Sequence, residues 1–254
     1  MQNLTYPYPE FNGITMQTNP WGHYRYDSLQ LRTEKRFMGM DSWSGGVTMI
    51  FSYTFSKAFQ TTVRETNWDL TQPLAHELTQ YDKPQSVAFS GVWMIPVGEK
   101  RHFVSHPNKV ISGIISGWQA SWTYRYTSGV PVSAMNYWYK CTDSMLTTDQ
   151  NHDHWFNNNG SCWASWPSYT MRTIPDRYAW LRQMDNSTLN VAMNKTFSIT
   201  ERWKFTLRAE AFNAMNHPLY GAPDTTRTDA RFGMLPVGQQ NFPRYIQLSG
   251  KVQF

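Results

Sequence analysis

Long hydrophobic runs are absent from this chain of 254 residues. No stretch approaches the roughly 18 consecutive apolar residues that a membrane-spanning helix requires, and mean hydropathy is −0.58. These absences exclude a helical membrane protein. They do not exclude a protein that crosses a membrane with strands, because only alternate residues of such a strand are apolar and its loops are polar.

Motifs typical of nucleic-acid binding, catalysis or phosphate binding are also absent from the sequence. The net charge is +5 and the pI is near 9.1, but no stretch holds five or more Lys and Arg residues, which argues against nucleic-acid binding. No Ser/His/Asp order and no glycine-rich phosphate loop lies in a context that supports catalysis. The sequence therefore predicts neither an enzyme nor a cofactor.

Cysteine is limited to Cys141 and Cys162. They bracket a polar, aromatic-rich loop, and two thiols this close in the sequence of an exported protein most simply form a disulfide. Such a bridge would stabilise the loop by roughly 3 kcal/mol. Two free thiols remain the alternative, and zinc binding is disfavoured because no CxxC pair is present.

Aromatic residues are abundant, at 16% of the chain, and apolar residues recur at every second position. The closing segment PRYIQLSGKVQF shows both features. Ile246, Leu248, Gly250, Val252 and Phe254 share one face of a strand, and the residues between them are mostly polar. A final strand that is apolar on one side and ends in an aromatic residue is typical of an outer-membrane β-barrel.

The same period of two recurs in further segments. They are residues 26–37, 46–57, 85–95, 114–128, 188–198 and 202–213. Shorter connections at 38–45, 97–113 and 199–201 alternate with longer ones at 58–84, 129–187 and 214–242. Outer-membrane barrels have short periplasmic turns and long extracellular loops, so the pattern predicts an all-β, antiparallel transmembrane barrel segment of about seven or eight strands. The last strand then descends, and Phe254 lies at the periplasmic edge.

A soluble antiparallel sandwich would also alternate apolar and polar residues. It would bury its apolar face in a core, where aromatic residues need not concentrate near strand ends. Here they do concentrate there, as expected for the aromatic girdles of a membrane barrel. The strand-end aromatics are Phe37, Phe55, Trp93, Trp118, Tyr126, Phe197, Trp203 and Phe254. The pattern therefore favours the barrel.

Several segments, in order along nearly the whole chain, resemble the carboxyl-terminal part of TonB-dependent receptor-like outer-membrane proteins of the acidobacterial, Oar-like group. The matching stretches include PYPEFNGIT, YDSLQLRTEKRF, SGWQASWTYRYTSGVPVS, RAEAFNAMNHP and the closing PRYIQLSGKVQF. The resemblance implies a barrel of about 22 strands around an amino-terminal plug. It also implies uptake of scarce solutes with energy delivered by a TonB-type protein.

The sequence differs from that family pattern in the segments expected before the barrel strands. Residues 1–254 hold neither a plug domain nor a TonB box, and the amino terminus MQNLTYPYPEFNG does not read as a signal peptide. We therefore expect a fragment or a truncated reading frame, because open sheet edges leave backbone groups unpaired in lipid at several kcal/mol each. Closure would need missing strands, a partner chain or an eighth strand from the first 25 residues. Refolded alone in detergent, the chain should not give a heat-modifiable monomer.

Two sets of residues are candidates for contact with a solute. In the loop 129–187, the indoles of Trp138, Trp155, Trp163 and Trp166 suit stacking against a ligand, although such loops also pack on themselves. Charged residues on the inward face are candidates for contacting a plug or lining a solute path, with cross-strand pairing inside the lumen as the favoured alternative. These charges are Arg32, Glu34, Arg36, Arg125, Arg208 and Glu210.

The remaining motifs concern metal binding and assembly. His152, Asp153 and His154 invite a metal site, but no third spaced ligand accompanies them, so a solvated loop is the favoured interpretation. Tyr245 and Phe254 form the expected signal for the barrel-assembly machinery.

The sequence thus predicts an outer-membrane transporter or receptor segment, in which strands form the wall and extracellular loops recognise an unidentified solute. Its expected partners are outer-membrane lipid, the assembly machinery and, only through a plug, a TonB-type protein. The alternatives are a soluble secreted sandwich that binds carbohydrate and a barrel with an adhesion or structural role.

Overall fold

The computed structural model describes residues 10, 22–37, 39, 46–61, 74–98, 101–104, 108–133, 137–146, 149–167, 175 and 177–254. The strands are β1 (His23–Lys35), β2 (Val47–Thr61), β3 (Glu77–Leu78), β4 (Gln85–Met94), β5 (Trp118–Thr127), β6 (Pro131–Ser133), β7 (Tyr137–Tyr139), β8 (Trp163–Ser165), β9 (Arg177–Arg182), β10 (Asn186–Ser198), β11 (Lys204–Phe212) and β12 (Tyr245–Gln253). A short helix, α1 (Lys109–Ile115), lies between β4 and β5. Over these ranges, no helix combines the length and the apolar character that crossing a membrane takes.

The long strands form one sheet, which we call the wall. It runs in the order β1, β2, β4, β5, β10, β11, β12, which is the order along the chain, and every neighbouring pair is antiparallel. Such an order arises when consecutive strands are joined by turns at alternate ends. β3 adds a short ladder to β2, while β6 with β9 and β7 with β8 make two small separate sheets. The predicted all-β antiparallel fold is confirmed.

Each predicted strand is present, with ends shifted by a few residues. The strand predicted from residue 114 begins at Trp118, because α1 occupies the start of that segment. The loop predicted at 129–187 contains β6 to β9, which are too short for a period of two to stand out. The eighth strand expected from the first 25 residues and most of the turn at 38–45 lie outside the described residues, apart from the start of β1.

The register aligns the apolar positions of neighbouring strands into one row. Leu31 faces Tyr53, Tyr53 faces Val87, and Val87 faces Tyr126. Side chains alternate across a strand, so polar residues fill the other face. The apolar row is open to the outside: Leu248 is 78% exposed, and no second layer of the described chain covers the row. A soluble sandwich is therefore the wrong architecture, since it would bury that row.

The two ends of the wall differ in their connections. At the short-turn end, residues 36–46, 95–117 and 199–203 join the strands, and at the long-loop end the connections are 62–84, 128–185 and 213–244. This alternation is the predicted one.

Aromatic residues concentrate on the apolar face at the short-turn end, within strand ends or directly beside them. We call this set the aromatic belt; it comprises Phe37, Trp93, Trp118, Phe197, Trp203 and Phe254. From Val47 to Phe55, the apolar row of β2 covers about 26 Å at roughly 3.3 Å per residue. That length is of the same order as the ~25 Å apolar band of a membrane barrel.

Candidate functional site

The three long connections pack together at one end of the wall into a unit that we call the cap. Its described residues are 74–84, 128–133, 137–146, 149–167, 177–185 and 213–244. The cap has a core of its own, in which Phe156, Trp163 and Phe232 meet edge to face with ring centroids 5.2 to 6.0 Å apart. Val132 and Leu181 are buried beside them. Edge-to-face packing of this kind adds to the burial of the rings themselves.

A disulfide closes part of the cap. Cys141 and Cys162, 21 residues apart, are bonded to each other, and Cys162 is buried in the cap core. Asp143 lies close to both sulfur atoms and forms with them the one cluster of potential metal ligands in the described ranges. Thiolates are the groups that would bind a metal. Because both sulfurs are bonded to each other, this cluster offers a single carboxylate.

Hydrogen bonds join loops that are distant in sequence. The guanidinium of Arg227 donates to the carbonyl oxygen of Trp163 at 2.7 Å. The amide of Trp155 donates to the carbonyl of Gly233 at 2.8 Å, and that of Leu235 donates to the carbonyl of His152 at 2.8 Å. The loop before β10 and the loop before β12 therefore fold as one body.

A buried ion pair joins two loops of the cap, and its carboxylate is also hydrogen-bonded to the wall. Asp82 is fully buried, and its Oδ2 accepts a hydrogen bond from Nη2 of Arg182 at 2.6 Å. Its other oxygen accepts from the amide of Ala58 at the end of β2, at 2.8 Å. A buried carboxylate is tolerated only when it is paired and hydrogen-bonded in this way. A second pair, Arg177 with Glu77 at 3.4 Å, lies on the same two segments.

The four candidate tryptophans have different environments, so they do not form one stacking surface. Trp163 is 1% exposed in the cap core, where no ligand reaches it. Trp155 is half-buried and its indole nitrogen donates to the carbonyl of Arg182 at 2.7 Å. Trp166 is half-buried, and Trp138 alone is well exposed, at 44%. Of the two roles expected for this loop, ligand stacking and self-packing, self-packing accounts for Trp155 and Trp163.

His152 links two parts of the cap through both ring nitrogens. Nδ1 lies 2.8 Å from Oδ1 of Asp153, and Nε2 lies 3.1 Å from the carbonyl oxygen of Pro236. Both partners can only accept hydrogen bonds, so this geometry suits the imidazolium form, in which both nitrogens donate. The hydrogen bond to Asp153 raises the pKa of His152 above its ordinary value, with a smaller contribution from the Pro236 carbonyl. The triplet at 152–154 thus acts as a link within the cap.

The polar face of the wall carries the predicted charges, but they pair along strands rather than across them. Arg36 and Glu34 are 2.9 Å apart, and Arg208 and Glu210 are 2.6 Å apart. The expected cross-strand pairing is therefore wrong for these pairs; side chains two residues apart on one strand share a face and meet directly. Arg125 has no ion-pair partner in the described part of the chain.

A groove of about 450 Å³ crosses the polar face. Hydroxyl and amide side chains line it together with apolar ones such as Ile50 and Val92, and the Arg208–Glu210 pair is also part of the lining. The polar lining residues are Thr48, Ser90, Ser121, Thr123 and Asn190. The groove therefore has a mixed lining of polar and apolar side chains.

Tyr245 and Phe254 lie at opposite ends and on opposite faces of β12. Tyr245 stacks on Phe212 at the long-loop end, with ring centroids 4.6 Å apart. Phe254 belongs to the aromatic belt, contacts Trp203 at 5.3 Å and is almost fully exposed. The terminal aromatic ring is therefore free to be recognised from outside.

Comparison with known families agrees with this architecture. The model of a family described as an outer membrane beta barrel domain matches residues 1–247. Searches of curated proteins and of solved structures each found no match. A single-layer sheet with an open apolar row, an aromatic belt and alternating short and long connections is what this family requires. The chain belongs to the outer-membrane β-barrel domain family, and its location is the outer membrane.

Proposed function

We propose that this barrel is a TonB-dependent receptor-like transporter, in which the cap recognises a solute and the polar face lines its route. The observation that carries the proposal is the convergence of three separate loops into one cap at the long-loop end, which is the extracellular end of such barrels. Loops held on a rigid scaffold are where recognition commonly resides. The resemblance to Oar-like receptors supports the same assignment.

The cap combines a rigid interior with an aromatic exterior. Its core, its disulfide and the Asp82–Arg182 pair hold the loops in place. Trp138, Tyr81 and Trp180 remain exposed, and Trp180 packs against Tyr178 with ring centroids 4.6 Å apart. Pre-ordered aromatic side chains bind sugars and flat ligands at low entropic cost.

The test is solute uptake by cells that express the protein from its own gene. A defined mixture of ferric siderophores, cobalamin and oligosaccharides is supplied, and depletion of each component from the medium is followed by mass spectrometry. We expect one component to be depleted, and depletion to stop when the TonB-type protein is deleted. Replacing residues 138–166 with a short Gly/Ser linker should also stop it. Depletion of nothing, or depletion that survives loss of the TonB-type protein, would refute the transport assignment.

A second function, adhesion or a structural role, is favoured by one feature of the cap. Much of its aromatic content is used internally, as in Trp155 and Trp163, which suits a rigid surface module as well as a receptor. This alternative predicts that loss of the cap changes cell attachment and leaves solute depletion unchanged.

A further inference from the structure

A lysine interrupts the apolar row of β10 near its short-turn end. Lys195 shares the outward face with Met193 and Phe197, yet it is 4% exposed. Its ammonium group donates to the carbonyl oxygen of Ser116, the residue that caps α1. The same ammonium lies 5.6 Å from the ring centroid of Trp118 and 4.9 Å from that of Phe197. A basic group held between aromatic rings at a strand end is typical of a membrane interface.

Helix α1 lies on the lipid side of the wall at this same level. The indole nitrogen of Trp118, a belt residue, donates to the carbonyl oxygen of Ile114 at 3.0 Å. Ile111 and Ile114 are exposed, at 47% and 62%. The helix therefore presents isoleucine side chains at the depth of the aromatic belt, where the short-turn end of an outer-membrane barrel meets the periplasmic leaflet.

An apolar groove of about 570 Å³ runs beside the helix, over β10, β11 and β12. Small residues, Ala209 and Gly250, leave space between larger ones. The larger apolar lining residues are Ile114, Trp118, Met193, Phe197, Leu207 and Leu248, and the two cationic ones are Lys195 and Arg208. The volume lies within the range of specific ligand sites. Arg208 is paired with Glu210 at 2.6 Å, so Lys195 is the cationic group that this apolar groove offers to a single lipid.

We propose that this groove binds one anionic phospholipid of the periplasmic leaflet, with an acyl chain along Leu207 and Leu248 and the headgroup phosphate towards Lys195. The groove is continuous with the apolar row that faces the bilayer, so lipid is the medium that reaches it. Lys195 has three N–H donors, and the bond to Ser116 uses one, which leaves donors for phosphate oxygens.

Lipid retention by the detergent-extracted protein tests the groove. The protein is expressed from its own gene, extracted from outer membranes, and its bound phospholipid is counted by native mass spectrometry. Ala209→Trp fills the groove, while Leu31→Trp places the same indole on the lipid face of β1, outside the groove. We expect one retained phospholipid in the wild type and in Leu31→Trp, and about tenfold lower occupancy in Ala209→Trp. Equal occupancy in all three proteins would overturn the proposal, as would a second copy of the chain in place of lipid.

Lys195 is tested separately by headgroup preference. In nanodiscs that contain phosphatidylglycerol and phosphatidylethanolamine in equal amounts, the wild type should retain phosphatidylglycerol about fivefold over phosphatidylethanolamine. Lys195→Met should lose this preference and Lys195→Arg should keep it. Loss of the preference in both variants, or in neither, would refute the phosphate contact. Leu31→Trp again serves as the control, because it leaves the charge in place.

Discussion

The wall and the cap use the same kinds of residue in opposite ways. In the wall, apolar side chains such as Leu248 and Phe55 point outward, and no other part of the described chain covers them. In the cap, Phe156 and Trp163 point inward and are covered by other loops. The wall depends on lipid as its apolar medium, whereas the cap makes its own core. Replacing a residue should therefore have different consequences in the two regions, although the residue types are alike.

The largest expected effect comes from breaking the buried ion pair between Asp82 and Arg182, which joins two loops of the cap. Arg182→Met leaves the carboxylate of Asp82 buried without its cation, which costs about 3–5 kcal/mol. We expect hydrogen exchange in segments 74–84 and 177–185 to accelerate strongly in the detergent-solubilised protein, while exchange in β10 and β11 stays slow. Arg25→Met is the control, since its partner Asp27 is exposed and such a pair contributes about 0–1 kcal/mol. Equal acceleration in both variants would show that the pair does not hold these two segments together.

Replacing one phenylalanine in the cap and one in the wall distinguishes a packed core from a lipid-facing surface. Phe156→Ala should cost the cap about 3–5 kcal/mol, because the neighbouring rings cannot close the cavity completely. Phe55→Ala removes the same side chain from the outward row of the wall, where a lipid chain fills the space. We therefore expect a much smaller loss of stability there, measured as the free energy of local opening by hydrogen exchange. A loss at Phe55 as large as that at Phe156 would mean that a packed layer, rather than lipid, covers the wall.

Removing the disulfide should loosen only the cap. Cys141 and Cys162 close a loop of 21 residues, and replacing both with serine should destabilise the cap by roughly 3 kcal/mol. Limited proteolysis in intact cells should then cleave within residues 137–167 and leave the strands of the wall intact. The single substitution Ser165→Ala, in the same loop and exposed, serves as the control. Cleavage that is unchanged in the double variant would show that the core alone holds the cap together.

The wall could be predicted from the sequence, whereas most of the cap could not. A strand that faces lipid on one side and water on the other repeats its pattern at every second residue, so segments such as 188–198 stand out without any knowledge of their neighbours. The sequence did not predict helix α1, because residues 109–113 fall in the predicted connection 97–113 and Ile114 and Ile115 fit the start of the predicted strand 114–128. The cap arises from contacts between residues that are far apart, and Asp82 and Arg182 are 100 positions apart.

In the candidate site, too, some features could be predicted from the sequence and others depend on the folded structure. Nothing local distinguishes Asp82 from an exposed acid, because its burial depends on the folded cap. The aromatic density of residues 129–187 predicted either a ligand surface or self-packing, and only the arrangement of loops separates Trp163, which is buried, from Trp138, which is not. The disulfide was predictable, since two cysteines in one loop leave a single intramolecular partner for each.

The smallest expected effect is a pH dependence confined to the cap. Asp153 and the Pro236 carbonyl raise the pKa of His152. The stabilisation that the imidazolium gives is therefore fully present below about pH 6.5, the ordinary histidine value, and is lost as pH rises through the raised pKa of the folded protein. Between about pH 5.5 and pH 9, proteolysis near residues 152–158 should increase in the wild type. His152→Gln should abolish that change, and His154→Gln should keep it. The wall, which this histidine does not touch, should show the same resistance throughout, and a parallel change in the wall would mean that the titrating group lies elsewhere.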